Sequence, residues 1–139
     1  MELRVVGVVG AGVMGIGLGH DLAQHGMQVV LVDITEAALE RARGEIRKNL
    51  RFQSMFQKGA KPVNADEVLG RIHFTTRYED LHEADFVVEN APEKWEIKKD
   101  IYPKIDAICP ERAVFAANTS CISITKIGGA TKQIGRAHV

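Results

Sequence analysis

Residues 5–15, with the sequence VVGVVGAGVMG, decide the fold of this 139-residue chain. The apolar run at 5–9 predicts a strand buried on both faces, and three glycines follow it in the pattern G-x-G-x-x-G. The residues after these glycines predict a helix, with Gly26 as its C-terminal cap. A second apolar strand at 29–32 then leads to Asp33. Together these features form the fingerprint of a dinucleotide-binding βαβ unit.

Each glycine of the turn has its own task in such a unit. Gly10 permits the tight turn, Gly12 lacks the Cβ that would block a pyrophosphate, and Gly15 lets the helix approach the strand. The start of the helix adds free N–H groups and a partial positive charge for the phosphates. The alternative is a structural glycine turn beside a capping Asp. We predict that the whole turn binds the cofactor: Gly10, Ala11, Gly12, Val13, Met14 and Gly15.

Asp33 predicts which dinucleotide is bound. Its carboxylate would accept hydrogen bonds from the adenosine ribose hydroxyls and would repel the 2′-phosphate of NADP(H). Neither Ile34 nor Thr35 supplies an arginine to neutralise that phosphate, although Arg41 and Arg43 follow further along the chain. The sequence therefore predicts NAD(H).

Strands and helices alternate through the rest of the chain. The pattern predicts an α/β fold, a Rossmann-type doubly wound parallel sheet. A helical hairpin at about 36–70 is inserted after the second strand. Because 139 residues are one domain's worth, we expect residues 1–139 to be a single NAD-binding domain without a second, substrate-side domain. The remaining predicted strands are 72–75, 85–89 and 113–117, and the remaining helices are about 95–108 and 122–128.

Composition argues against several classes of protein. Lys plus Arg and Asp plus Glu number 18 each, so the electrostatic argument for a nucleic-acid or membrane-surface protein is missing. No apolar run approaches the roughly 20 residues of a membrane span, and no signal peptide is visible. Cys109 and Cys121 lack the spacing of a disulfide scaffold or a metal site. We expect reduced thiols, no metal and a cytoplasmic protein.

Four stretches, in order and at family-like spacing, resemble the 3-hydroxyacyl-CoA dehydrogenases: residues 5–15, 29–33, 86–89 and 117–120. The Asn-Thr-Ser of the last stretch is the most telling, because generic dinucleotide folds lack it. The resemblance implies oxidation of a 3-hydroxyacyl thioester to the 3-ketoacyl thioester, with hydride passing to NAD. It also implies that this chain is the N-terminal NAD-binding domain and that the C-terminal substrate and dimer domain is absent.

The resemblance assigns roles to residues beyond the ends of strands four and five. Glu93 resembles the family glutamate beside the nicotinamide ribose, and Lys98 resembles a lysine that also touches the cofactor. Ser120 resembles the catalytic serine between nicotinamide and substrate hydroxyl, and Asn118 belongs to the same cofactor-binding segment. From the residues alone, Glu93 and Lys98 could belong to a solvated helix face. Residues 118–120 could simply cap the following helix.

The predicted hairpin carries a local positive charge. Residues 41–61 contain seven basic side chains and one acid, Glu45. The resemblance implies that this hairpin helps to hold the phosphorylated carrier of the thioester, with Lys58 as the matching lysine. Charge-assisted contacts from Lys and Arg suit phosphate. A solvated basic helix face is an equally open interpretation.

The general base of the resembling family is a histidine in a His-Phe-x-Asn-Pro context, paired with a glutamate. This chain ends at residues 136–139, before that strand, and His138 lacks the Asn-Pro that would follow. We therefore expect the catalytic His and Glu to be missing from this chain and the chain alone to be inactive. The oligomeric state is not readable, although a sheet edge left after five strands would invite pairing in a homodimer.

Several other functions stay open at this point. Trp95, within the charged segment 93–98, resembles relatives that act on hydroxyacyl groups tethered to acyl carrier protein in polyketide biosynthesis. The substrate could therefore be a thioester of CoA, as in fatty acid metabolism, or of the carrier protein. A non-catalytic NAD-binding module, or a purely structural role, would also fit a chain without the base.

Overall fold

A computed structural model describes residues 3–56, 64–118 and 124–131, and within them it has five parallel strands flanked by helices. The strands are β1 (Val5–Val9), β2 (Gln28–Val32), β3 (Ile72–Thr75), β4 (Phe86–Glu89) and β5 (Val114–Ala117). The helices are α1 (Val13–Gln24), α2 (Glu36–Phe56), α3 (Ala65–Gly70), α4 (Trp95–Ile108) and α5 (Ile124–Gly128). These elements confirm the predicted ones to within a few residues. A 3₁₀ turn at Tyr78–Leu81 was not predicted.

The sheet has the strand order β3-β2-β1-β4-β5, with every pair parallel. The order reverses at β1, which lies between β2 and β4, and this reversal confirms the doubly wound topology. The register aligns Val9 with Val32 on one side and with Glu89 on the other, and Glu89 with Ala117. The carboxyl ends of four strands are therefore level, so the residues that follow them share one edge of the sheet.

Helices cover both faces of the sheet, which explains why the strands are continuously apolar. On one face, Val8 and Leu31 pack with residues of the helices α1, α2 and α3. On the other face, Val9 and Val87 pack with residues of α4. The two apolar clusters give each central strand a buried environment on both sides.

Local sequence signals explain where α1 ends and where α2 begins. Gly26 has φ +91°, a left-handed conformation that L side chains rarely adopt, and it follows the last turn of α1. Thr35 accepts a hydrogen bond from the Ala38 N–H at 3.2 Å through its hydroxyl oxygen and so caps α2. The helices α2 and α3 form the predicted hairpin, and the loop between them, residues 57–63, lies outside the described residues.

Candidate dinucleotide site

The turn after β1 can be built only with glycine at two positions. Gly10 has φ +101°, and a Cβ there would stand 2.9 Å from the Asn90 carbonyl oxygen. A Cβ at Gly15 would stand 1.8 Å from the Gly10 carbonyl oxygen, a distance that no side chain tolerates. The Gly10 N–H donates to the Val32 carbonyl at 2.8 Å and so ties the turn to the end of β2. Gly10 and Gly15 therefore fix the backbone of the turn.

Gly12 is different, because the space beside it is empty. Nothing lies within 4 Å of the position that a Cβ at Gly12 would take, and its φ of −83° is ordinary. Gly12 is the N-cap of α1 and has no side chain to accept from the first-turn N–H groups. Val13 and Met14, which follow it, are 89% and 65% exposed. This open helix start, free of a side chain, fits the phosphates of a dinucleotide.

The Asp33 carboxylate accepts two backbone hydrogen bonds, and one of them comes from this turn. Its Oδ2 accepts from the Ala11 N–H at 2.7 Å, and its Oδ1 accepts from the Ile34 N–H at 2.6 Å. A carboxylate has about four acceptor positions, so each oxygen keeps capacity for a ribose hydroxyl. Of the two arginines that follow further along the chain, Arg43 lies over the Phe74 ring, 4.6 Å from its centroid. The arrangement fits NAD(H) better than NADP(H).

A buried polar cluster lies at the end of β4. The Lys98 ammonium donates to both oxygens of Glu89 at 3.0 Å, and it is completely buried on α4. The Tyr102 hydroxyl donates to Glu89 Oε1 at 2.9 Å, and the Ala91 N–H donates to Oε2 at 2.7 Å. Burial, and secondarily the Glu89 carboxylate, raise the pKa of Tyr102 far above its ordinary value. Tyr102 is therefore a neutral donor.

The end of β5 is tied to this cluster through Asn118. The Asn118 N–H donates to the Glu89 carbonyl at 2.9 Å, and Lys98 Nζ donates to the Asn118 carbonyl at 3.2 Å. The Asn118 side-chain amide donates to Asn90 Oδ1 at 2.9 Å, on the exposed side of the edge. Asn90 also donates its N–H to the Val9 carbonyl at 2.7 Å. The ends of β1, β4 and β5 are thus joined by short polar contacts.

The structure brings most of the predicted cofactor residues to this one edge. The glycine turn, Asp33 and Asn118 follow β1, β2 and β5, and Glu93 is exposed in the segment between β4 and α4. Lys98 lies in the first turn of α4, but its side chain is completely buried and does not belong to a solvated helix face. Ser120, Lys58 and His138 lie outside the described residues, so their predicted roles stay predictions.

Sequence reasoning missed Glu89, Asn90 and Tyr102 as residues of this edge. A signal for the buried cluster was present, because Lys98 and Tyr102 are four residues apart on the stripe of α4 that also carries Ile101 and Ile105. A lysine on an apolar stripe indicates a buried partner, and Glu89 is that partner. No comparable signal existed for Asn90, whose contact with Asn118 depends on the register of two strands.

Some basic side chains of α2 contact other protein groups, and others are exposed. Arg47 contacts the Asp66 carboxylate at 3.3 Å across the hairpin, and Arg43 lies over Phe74. Lys48 and Arg51 are exposed, and they line an open groove of about 360 Å³ on the outer face of the helix. The other lining residues are Gly44, Arg47, Phe52 and Met55.

The described ranges hold neither a cluster of metal ligands nor a membrane-spanning helix. Among those residues, no group of three or more His, Cys, Asp or Glu side chains is close enough to hold a metal ion. None of the helices in the same ranges is both long and apolar enough to cross a membrane.

The strand order, the glycine turn and Asp33 define the class of this protein as a dinucleotide-binding domain. The family model described as "3-hydroxyacyl-CoA dehydrogenase, NAD binding domain" matches residues 5–139. The chain belongs to this family, which confirms the resemblance seen in the sequence and identifies NAD as the cofactor.

Individual relatives are similar over nearly the whole chain. A probable 3-hydroxybutyryl-CoA dehydrogenase of Deinococcus radiodurans is 39% identical over 125 residues, which are 90% of this chain and 44% of the relative. A 3-hydroxybutyryl-CoA dehydrogenase of Clostridioides difficile is 36% identical over 91% of this chain and 44% of its own length.

A solved structure gives the same result for the fold. The crystal structure of (S)-3-hydroxybutyryl-CoA dehydrogenase from Ralstonia eutropha superposes with a TM-score of 0.88 at 36% identity, over 97% of this chain and 47% of that one. The chain therefore spans less than half the length of these relatives.

Proposed function

We propose that this chain is the cofactor-binding part of a dehydrogenase that oxidises a 3-hydroxyacyl thioester to the 3-ketoacyl thioester. The observation that carries the proposal is Asp33, held by the Ala11 N–H at 2.7 Å beside the open helix start at Gly12. A ribose and a pyrophosphate of one dinucleotide can be bound there together. When bound, NAD supplies the acceptor for the hydride that leaves the hydroxyl-bearing carbon.

The residues of this chain would bind and orient the nucleotide. The glycine turn and α1 would hold the phosphates, and Asp33 the adenosine ribose. Asn118, with Glu93 and Lys98, stands on the side expected to face the nicotinamide half, and Ser120 would lie between nicotinamide and substrate hydroxyl. These assignments are supported by the common edge at which the described members of the set meet.

A general base is a separate requirement of the reaction. His73 pairs with Asp80 at 3.1 Å, but it lies on β3, the outer strand beyond β2. Among the described residues, no histidine stands at the edge that carries Gly10 and Asn118. We therefore propose that the chain by itself binds NAD(H) and oxidises substrate poorly.

We propose CoA as the carrier of the acyl group. The relatives reported above are named for CoA thioesters, and the exposed Lys48 and Arg51 of α2 would suit its phosphates, with Lys58 following them in sequence. Trp95, the residue that suggested an acyl carrier protein, lies under Lys126, whose Nζ is 4.4 Å from the ring centroid. Packing of α4 against α5 accounts for Trp95 without a carrier protein.

Isothermal titration tests the cofactor, and product analysis tests the substrate. We expect the chain to bind NADH in the micromolar-to-millimolar range and NADPH more weakly. No detectable NADH binding would refute the proposal. Oxidation of 3-hydroxybutyryl-CoA by this chain alone at a full enzymatic rate would contradict the proposal that the chain by itself oxidises substrate poorly. The full-length gene product can be offered both the CoA ester and the hydroxyacyl group on acyl carrier protein. Faster turnover of the carrier-protein substrate would contradict CoA as the carrier.

The last two proposals concern the compartment and the oligomeric state of the protein. We propose a cytoplasmic protein, since Cys109 is a buried free thiol. We propose a homodimer, because β5 is an outer strand of the described sheet and leaves one edge unpaired there. Sedimentation equilibrium with a single species at the monomer mass would contradict the dimer.

A further inference from the structure

Asn90 carries a buried hydrogen-bond donor that the fold does not use. Its Nδ2 atom is closed off from water and has no partner within the described part of the chain. A buried donor without a partner destabilises a fold, so native proteins keep few of them. An apolar side chain at this position would avoid the loss. The carboxamide therefore calls for a use other than the contacts of the fold itself.

Asn90 directly follows β4 and lies beside the end of β1. Its N–H donates to the Val9 carbonyl at 2.7 Å, and its own carbonyl oxygen is 2.9 Å from the Cβ position of Gly10. The strand order reverses at β1, and doubly wound sheets bind ligands in the crevice at this reversal. Asn90 therefore stands at the centre of the crevice, between the glycine turn and Asn118.

The order of the strand ends along this edge matches the order of the groups in a dinucleotide. Asp33 follows β2 and would bind the adenosine ribose, and the glycine turn follows β1 and would bind the pyrophosphate. The next group of NAD beyond the pyrophosphate is the second ribose, which carries the nicotinamide. This ribose passes the end of β4, where Asn90 lies, before the nicotinamide reaches the end of β5.

The side chain of Asn90 is oriented by a single contact. Its Oδ1 accepts from the Asn118 side-chain amide at 2.9 Å on the exposed side of the edge, which leaves Nδ2 turned inward. The terminal torsion of asparagine is broad and roughly two-fold, so both carboxamides can turn over and exchange nitrogen with oxygen. One N–H of Asn90 then donates to the Asn118 amide oxygen, and the other is available to a ribose oxygen.

We propose that Asn90 is a cofactor-binding residue whose side-chain amide donates a hydrogen bond to the ribose on the nicotinamide side of NAD(H). The proposal rests on the proposed function. The hydroxyl and ring oxygens of a ribose are acceptors, so the ligand satisfies the donor that the protein leaves without a partner. The adenosine half of the cofactor, bound by Asp33 and the glycine turn, does not depend on Asn90.

Three ligands of increasing length locate the contact. ADP lacks the second ribose, ADP-ribose contains it, and NADH adds the nicotinamide. In Asn90→Ala, we expect ADP affinity to stay within about twofold of the unaltered chain, and ADP-ribose and NADH affinities each to fall about fivefold through loss of one hydrogen bond. Isothermal titration measures all three. Equal weakening of ADP, or an unchanged ratio of ADP-ribose to ADP affinity, would overturn the proposal.

Asn64→Ala is the matched control. Asn64 caps α3, where its Oδ1 accepts from the N–H groups of Asp66 and Glu67. N64A therefore makes the same chemical change and destabilises the fold away from the edge. We expect all three affinities to be unchanged in N64A. A fall in the ratio of ADP-ribose to ADP affinity equal to that in N90A would mean that lost stability alone has the effect, and the proposal would be wrong.

A mutant cycle with Asn118→Ala separates direct contact from support of Asn118. If Asn90 donates to the ribose itself, N90A still lowers the ratio of ADP-ribose to ADP affinity about fivefold once the Asn118 side chain is gone. Disappearance of the effect in that background would show that Asn90 acts only through Asn118 and would contradict the proposal.

A second variant covers the case in which N90A does not fold. Asn90→Leu fills a similar volume without a donor, and the same fall in the ratio of ADP-ribose to ADP affinity is expected. An unchanged ratio in N90L would refute the proposal. Failure of the unaltered chain to bind NADH would instead refute the proposed function itself, whereas NADH binding that N90A leaves undiminished would refute only the role of Asn90.

Discussion

The Oδ2 atom of Asp33 accepts a hydrogen bond from the Ala11 N–H at 2.7 Å, so the acid after β2 and the turn after β1 form one unit. The second carboxylate oxygen accepts from the Ile34 N–H at 2.6 Å. Asp33 thus has two tasks that its side chain performs together. It stabilises the turn, and it presents a negative charge where the adenosine ribose is expected.

Asp33→Asn separates these two tasks. The amide oxygen can still accept from Ala11, but the negative charge is lost, and with it the repulsion of a 2′-phosphate. We expect NADH affinity to fall and NADPH affinity to rise relative to it, so that the ratio of the two changes by about tenfold, or about 1.4 kcal/mol. Fluorescence titration with both nucleotides measures the ratio. Glu36→Gln, an exposed acid at the start of α2, is the control and should leave the ratio unchanged.

The parts of this site that could be predicted from sequence are those in which a single residue type is required. Gly10 and Gly15 are fixed by backbone geometry, and Asp33 by its position at the tip of a strand. The orientation of Lys98 was not predicted, because a run of charges resembles a solvated helix face until the apolar stripe of α4 is considered with it. The contact between Asn90 and Asn118 depends on the register of β4 and β5, which no local pattern specifies.

Asp85, which directly precedes β4, makes the stability of the fold depend on pH. Hydrogen bonds from the N–H groups of Val5 and Arg4, and the Arg112 guanidinium at 3.1 Å, hold the pKa of Asp85 below its ordinary value. A depressed pKa in the folded state means that the ionised form contributes stability above the unfolded pKa of about 3.9. This contribution is lost as the pH falls through the lower, folded pKa.

Asp85→Asn should therefore lower the Tm at pH 7 and reduce its dependence on pH in the acid range. We expect the difference in Tm between the variant and the unaltered chain to be full at pH 7 and to shrink below about pH 4. Circular dichroism melting at both pH values measures it. Asp100→Asn, an exposed acid of α4, is the control, and a similar effect from D100N would contradict the role of Asp85.

Cys109 is protected from thiol reagents because it is buried at the C-terminal end of α4. Burial, and secondarily the charge of Asp106, raise the pKa of the Cys109 thiol to about 11. At pH 8 the thiolate fraction is then about two-hundredfold lower than for an ordinary thiol, and the buried position lowers the rate further. In a Cys121→Ser background, we expect labelling by a disulfide reagent to be slow in buffer and complete within the mixing time in denaturant. Rapid labelling of the folded chain would contradict the buried position.

Gly12 and Gly15 lie three residues apart in the same motif, yet alanine should have opposite effects at the two positions. At Gly15 the added Cβ would meet the Gly10 carbonyl at 1.8 Å, so the turn must move. Overpacking of this kind destabilises by about 1–3 kcal/mol, and each kcal/mol lowers the Tm of a domain of this size by about 4 °C. At Gly12 nothing lies within 4 Å, so the fold should tolerate alanine there.

We therefore expect G12A to keep its Tm within about 2 °C and to lose NADH binding, because the methyl group occupies the space of the pyrophosphate. G15A should have a lower Tm, and its NADH affinity should fall because the turn has moved. Gly44→Ala is the control, since Gly44 is exposed in α2 with nothing within 4 Å, and alanine there should stabilise the helix by up to about 1 kcal/mol. Melting curves and NADH titrations on the three variants decide the matter. Undiminished NADH binding by a folded G12A would show that the pyrophosphate does not lie against this turn. Equal Tm values for G12A and G15A would contradict the close contact between Gly15 and Gly10.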